Sequence, residues 1–360
     1  MIGARLKLAR AAAGLSLREL EDRLNALVSA QAIGKYERDE MMPSSSVLIA
    51  LAKALGVTEE YLLNPADVEL IAVEFRKKTL TSAKETAEVR SRILSEVERY
   101  LIVESILAIQ NEDVLPADQR VKVRSDENVE EAADGLRKYW KLGTDAIPNL
   151  CEFLEDKGVK ICAIPLPENV SGVQANIRTV DQSALPVIVV NANEAGERQR
   201  FTMAHELGHL YLQVLKPLNL EPACQRFAGA FLVPRTTLIR EVGAFRHAIS
   251  LRELFQLKLL FGVSAQALAY RLKDLEVINR STFTGLFKAF NARKWRKVEP
   301  LALQKELPSR FERLCIRALA EGVISESKAS ELLQKTVRDV VDSLDQPPER
   351  EAYDGNPPGL

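Results

Sequence analysis

The sequence predicts a multidomain chain: an all-α amino-terminal domain, a helical linker, an α+β domain with a small sheet, and a helical carboxy-terminal region. Three observations predict it. Residues 2–65 repeat short apolar stripes, most of them opened by Ser or Thr and closed by Gly or Pro. From residue 130 the pattern changes, and helical stretches are followed by short β-type runs. A length of 360 residues accommodates two or three domains. The expected boundaries are 1–65 for the first domain, 66–129 for a linker and loop, 130–280 for the α+β domain, 281–345 for further helices and 346–360 for a tail.

Five helices are expected in the first domain. Ile2, Leu6 and Leu8 begin a stripe that ends at Gly14. Ser16 is placed to cap Leu17–Leu24, with Glu19 at the reciprocal capping-box position. Ser29 caps Ala30–Tyr36, Pro43-Ser44-Ser45-Ser46 opens Val47–Leu55, and Thr58 caps a last short helix through Leu62. Helical periodicity then continues over 66–110, with Ile93, Val97, Leu101 and Leu107 on one face. That face suits a neighbouring chain, giving a homodimer, or the core of the next domain. The polar stretch 111–128 reads as a loop or arm.

In the α+β domain, helices Glu130–Trp140 and Asp145–Lys157 precede β-type runs at Val159–Ile164, Gly172–Ile177 and Val187–Val190. A helix then begins near Glu194 and runs past His209, and 219–230 and 250–274 are also helical in pattern. Two more helices, Arg310–Ala320 and Glu326–Leu344, are parted by Gly322. The tail Gln346–Leu360 has almost no apolar content and reads as disordered.

Composition narrows the classes of function. A net charge of −1 excludes a generally polyanion-seeking molecule, although Arg5, Lys7, Arg10, Arg18, Arg23, Lys35 and Arg38 give the first 38 residues a positive bias. No apolar run approaches the roughly 20 residues of a membrane span, and the opening Met1-Ile2-Gly3-Ala4-Arg5-Leu6-Lys7 is unlike a signal peptide. The four cysteines, at 151, 162, 224 and 315, form no CxxC pair and read as buried thiols in a reducing cytoplasm.

The chemistry is concentrated on one turn. Of three histidines in the chain, His205 and His209 stand at i and i+4 with Glu206 between. On a helix that spacing puts both imidazoles on one face, suited to two corners of a tetrahedral Zn2+. Glu206 is placed to take a proton from water activated there. Gly208 costs about 1 kcal/mol in a helix and makes sense if another backbone or a substrate passes close. Glu221, beside Pro222 at the start of the next helix, faces back as a candidate third ligand, and Gln225 could orient a ligand one turn on. Tyr270 and Arg271 are candidates for oxyanion stabilisation, with a packing tyrosine and a surface arginine as the alternative; His247 has no partner pattern.

These residues resemble the ImmA/IrrE family of metallopeptidases. The similarity runs through Arg198-Gln199-Arg200-Phe201-Thr202-Met203-Ala204-His205-Glu206-Leu207-Gly208-His209-Leu210, then Glu221, Phe227-Ala228 and Phe231-Leu232-Val233-Pro234. Trp140, Gly158-Val159, Pro186–Asn191 and Gly262–Leu272 extend it over roughly 130–280. The resemblance implies a zincin-like domain with Glu221 as third ligand, although the His209-to-Glu221 spacing is short and Gln225 replaces a more usual asparagine. Residues 2–65 in turn resemble XRE-type helix-turn-helix domains, through Gly14–Leu20, Val28–Glu37, Pro43-Ser44 and Leu48–Val57. In such domains the third helix enters the major groove. The resemblance therefore assigns contacts with double-stranded DNA to Ser29, Ala30, Gln31 and Lys35, with Gln31 suited to adenine. Leu17, Glu21 and the longer turn Asn25-Ala26-Leu27 depart from the usual pattern.

Together these imply a cytoplasmic DNA-binding regulator with a built-in zinc endopeptidase, acting on a protein partner of repressor or antitoxin type. The alternative is a transcription factor whose peptidase-like domain is a non-catalytic sensor or interaction module.

Overall fold

A computed structural model describes residues 2–63, 68–74, 83–109, 115, 120–167, 170–179 and 184–344. The expected disorder of 346–360 and part of the expected 111–128 arm lie outside these residues. By their contacts the residues form two compact units, one of 1–111, 176–185 and 309–360, the other of 112–175 and 186–308.

The first unit opens with five helices: α1 (Gly3–Ala12), α2 (Leu17–Arg23), α3 (Ala30–Glu37), α4 (Ser45–Leu55) and α5 (Glu59–Leu63). Their starts are local chemistry. Ser16 Oγ accepts from Glu19 N at 3.2 Å while the Glu19 carboxylate accepts from Ser16 N at 2.6 Å, completing a capping box. Ser29, Ser44 and Thr58 cap α3, α4 and α5 with their hydroxyls. The apolar stripes meet in one core that includes Leu6, Leu20, Ile33, Leu51 and Leu62, each with no exposed surface (0%). Leu17 packs beneath α3: a Cβ on Gly34 would lie 3.6 Å from Leu17 Cδ1.

The next segment differs from expectation at its start. Residues Val68–Glu74 form a strand, β1, where helical periodicity was expected. Their sequence, Val-Glu-Leu-Ile-Ala-Val-Glu, is short and rich in β-branched residues, and helical and strand patterns are hard to tell apart over such a length. The long helix α6 (Ala83–Ile106) follows. Its buried apolar residues are Val89, Ile93, Val97, Tyr100 and Val103, at helical spacing. Leu101, expected on that face, is only partly buried. The helix packs on α1, and the Arg5–Glu98 ion pair joins the two with both side chains 4% exposed.

The second unit carries β2 (Val121–Val123), α7 (Asp126–Tyr139), α8 (Leu150–Asp156) and β3 (Lys160–Ile164), with the first half of β4 (Gly172–Thr179) and all but the first two residues of β5 (Ala184–Asn191). It continues with α9 (Gly196–Tyr211), β6 (Leu212–Val214), α10 (Leu220–Leu232), α11 (Arg235–Val242), α12 (Leu251–Phe261), α13 (Ala265–Asp274) and α14 (Arg280–Ala292). Strand β5 lies between β4 and β3 and runs parallel to β3, with Ile161 opposite Ile188. Val187 to Val190 are all fully buried, as a central strand covered on both faces requires. A second sheet pairs β2 with β6 in parallel, Val121 opposite Leu212.

The chain then returns to the first unit as α15 (Arg310–Ala320), α16 (Glu326–Leu333) and α17 (Val337–Leu344). Gln334, in the left-handed region at φ 54°, divides what reads as a single helix in the sequence. Leu314, Cys315, Ala329 and Leu332 close around Tyr100 and Val103 of α6. The apolar face of α6 is thus covered from within its own chain. Among the described residues, no helix is long and apolar enough to cross a membrane.

Candidate metal centre

Helix α9 presents His205 and His209 one turn apart, both buried (3% and 8% exposed). Their Nε2 atoms lie 3.1 Å apart. Glu221, in the first turn of α10, brings one carboxylate oxygen to 3.5 Å from His205 Nε2 and the other to 3.3 Å from His209 Nε2. A tetrahedron with metal–ligand bonds of 2.0–2.1 Å has ligand atoms about 3.3 Å from one another. Each imidazole nitrogen thus has the other imidazole and one Glu221 oxygen at close to that spacing, and no other residue of the described chain joins the group. Two imidazoles and one carboxylate leave a fourth corner open, the donor set of a catalytic zinc. The Glu221 side chain is 45% exposed, so the centre opens to solvent on that side.

Close packing makes this convergence possible. A Cβ on Gly208 would lie 3.1 Å from Phe227 Cδ1 and 3.4 Å from Cys224 Cα, so the missing side chain lets α10 approach α9. The tight connection does the rest: Leu212 leaves α9 directly as strand β6, which is fixed by pairing with β2. Gly172, at the start of β4, meets the other side of α9. A Cβ there would fall 2.3 Å from Thr202 Cγ2 and 2.7 Å from Val189 O, and 3.7 Å from Glu206 Cγ. Glu206 is 5% exposed.

Charged residues anchor the amino-terminal half of α9. Lys258, with no exposed surface (0%), donates to Glu197 at 2.6 Å and Glu299 at 3.2 Å. Glu299 also accepts from the amides of Ala265 and Gln266, and Glu197 from that of Leu303. Arg200 pairs with Glu306, whose carboxylate accepts from the amides of Leu150 and Cys151 at 2.8 and 3.1 Å. Each bridge ties α9 to the segment 299–306. The residues Glu197, Arg200, Lys258, Glu299 and Glu306 carry no signal in the sequence, because their partners lie 41 to 106 positions away.

Residues 154–273 match the model of the IrrE N-terminal-like domain of peptidase family M78, and residues 6–62 match that of a helix-turn-helix. The chain joins these two domains. The comparison with curated proteins and that with solved structures each found no match. The IrrE-like match contains both histidines, Glu206 and Glu221.

Within the IrrE-like domain, other candidates separate from the centre. Arg271 is not a surface residue; it is 3% exposed, grips the Glu130 carboxylate through both terminal nitrogens at 2.6 and 2.8 Å, and donates through Nε to Val233 O. It braces the end of α10 instead of facing the histidines. Burial raises the carboxyls of Asp134 and Asp274, near that brace, above their ordinary values. Tyr270 is half exposed and packs on Phe283 and Phe287. His247 is exposed with its ring against Phe245. Gln225 is exposed and makes no side-chain hydrogen bond among the described residues. Cys224 is fully buried beside Gly208.

In the helix-turn-helix domain, Ser29, Gln31 and Lys35 are exposed along α3 and Ala30 is partly so, while Ile33 and Tyr36 are buried. The Ser29 hydroxyl already accepts from Ala32 N, which leaves it its O–H donor and one acceptor site. The longer turn before α3 places Asn25 and Ala26 in the left-handed region, at φ 52° and 56°.

Proposed function

We propose that this protein is a DNA-binding transcriptional regulator with a built-in zinc-dependent endopeptidase that cleaves a regulatory protein partner of repressor or antitoxin type. The observation that carries the reading is the convergence of His205, His209 and Glu221, with ligand atoms within 4.8 Å of one another, on a helix that also buries Glu206. His205 Nε2, His209 Nε2 and the Glu221 carboxylate would hold the ion. When bound, zinc supplies Lewis acidity and brings the pKa of water toward about 7.

Glu206 is the general base. Its carboxylate takes the proton of the attacking water and returns it to the nitrogen of the leaving amine. Glu206 is 5% exposed and its Cγ lies beside Gly172, where a Cβ would come within 3.7 Å of it. The exposed flank at Glu221 gives an extended polypeptide a way in. At the other end of the chain, α3 offers Gln31 and Lys35 to a duplex, Gln31 for a base edge and Lys35 for phosphate.

The test has two measurements. Purified protein should hold about one zinc per chain, lost in His205→Ala/His209→Ala. Candidate partners encoded nearby, co-expressed with the chain, should include one that wild type cuts and Glu206→Gln leaves intact, a loss of at least about 100-fold. Full zinc content with no partner cut by either form would instead establish a non-catalytic sensor or interaction module.

A further inference from the structure

A cavity of about 390 Å³ lies within the first unit and shares no residue with the metal centre. Three segments line it: the α4–α5 turn from Gly56 to Tyr61, one face of α6 from Ser95 to Ile102, and the α16–α17 turn from Ser330 to Thr336. Native interiors leave few voids larger than one water molecule, whereas small-molecule sites occupy roughly 300–1,000 Å³. The cavity falls in the second range. Its floor adjoins the buried Arg5–Glu98 pair, with the Arg5 guanidinium 4.7 Å above the Tyr61 ring.

The lining specifies the chemistry of an occupant. It contains two carboxylates, Glu98 and Glu331, and two cations, Arg99 and Lys335, so it carries no net charge. These groups are already engaged. Glu98 holds Arg5, Glu331 holds Lys328 at 3.1 Å and Lys335 holds Glu312 at 2.6 Å. Arg99 donates to Leu332 O at 2.6 Å and lies over the Phe311 ring. An ionic ligand would therefore meet a lining whose two carboxylates and two cations balance, with no net counter-charge to attract it. Val57, Ile102 and the Tyr61 ring supply apolar wall. The half-buried Ser95 hydroxyl and the Gln334 amide make no side-chain hydrogen bond among the described residues, and both line the cavity.

We infer that this cavity is a binding site for a small uncharged organic molecule, with an apolar body and one hydroxyl or amide group. Such a ligand would touch the helix-turn-helix domain, α6 and the carboxy-terminal helices at once. The site owes nothing to the peptidase reading, since every lining residue belongs to the first unit.

The test uses the full-length chain and three probes with one hydrocarbon body: N-hexylacetamide, hexanoate and hexylammonium. Saturation-transfer NMR titrations should show saturable binding of N-hexylacetamide, at least about tenfold tighter than either ion. Ser95→Trp fills the cavity and should weaken that binding by at least about tenfold. Lys335→Trp, at an exposed rim position where folding is not at stake, should do the same. Absence of saturable binding to wild type overturns the inference. So does binding that survives in the folded Lys335→Trp chain, or tighter binding of either ion.

Discussion

Helices α3 and α9 carry the two proposed functional surfaces of this chain, and they treat polar residues differently. In α3 only Ile33, Gly34 and Tyr36 are buried; Gln31 and Lys35 face solvent, and Glu37, its side chain 7% exposed, pairs with Arg10. In α9, 13 of 16 residues are buried, among them Glu197, Gln199, Arg200, Thr202, His205, Glu206 and His209. Recognition of a duplex needs side chains that reach outward from a self-sufficient fold. Metal-centred chemistry needs ligands held still in a poorly hydrated place, where electrostatic interactions are stronger. The first helix adds a single ion pair, Glu37 with Arg10 of α1, to its cap and apolar stripe. The second needs ion pairs with residues far along the chain.

That contrast can be broken most severely at Lys258. Lys258→Met should leave Glu197 and Glu299 buried without their cation and destabilise the IrrE-like domain by about 3–5 kcal/mol, read from the denaturant midpoint of its unfolding transition. An unchanged midpoint would mean that α9 does not depend on this bridge. Gly208→Leu should cost about 1–3 kcal/mol by overpacking against Phe227 and Cys224. Because it pushes α10 away, it should also weaken zinc binding in a chelator competition while both histidines remain.

The α3 side of the contrast predicts function lost with stability kept. Gln31→Ala should weaken specific operator binding by about 1–3 kcal/mol and move the thermal midpoint little, as measured by fluorescence anisotropy and calorimetry on one preparation. Equal operator binding would move the reading surface off α3. The smallest effect belongs to the turn before it. Ala26→Gly relieves a left-handed residue and should stabilise the domain by about 1 kcal/mol or less, with Gln31 still exposed and operator affinity held.

How much was legible follows from the distance over which each feature is specified. Ser16, Ser29 and Ser44 cap helices through residues three positions on, and all three caps are found where the sequence puts them. The His205–His209 pair is legible for the same reason. Strand β1 was not, because seven apolar-rich residues fit two periodicities. The short β2–β6 sheet was not, because each strand has three residues and needs a partner about 90 positions away. Arg271 read as a surface residue because its partner, Glu130, is 141 positions distant.

The sequence by itself determined the five amino-terminal helices, four of them capped by Ser or Thr, the exposed face of α3 and the two imidazoles with their glutamate. Each depends on spacings of three or four residues, which a helix converts directly into neighbours. Only the tertiary structure decided that Glu221 closes on those imidazoles. That outcome depends on Gly208 admitting α10, on β6 pairing with β2, and on Arg271 and Glu130 bracing the far end of α10. It also decided that a cavity opens between α5, α6 and the α16–α17 turn. These are contacts between segments remote in sequence, and no local pattern encodes the packing that brings them together.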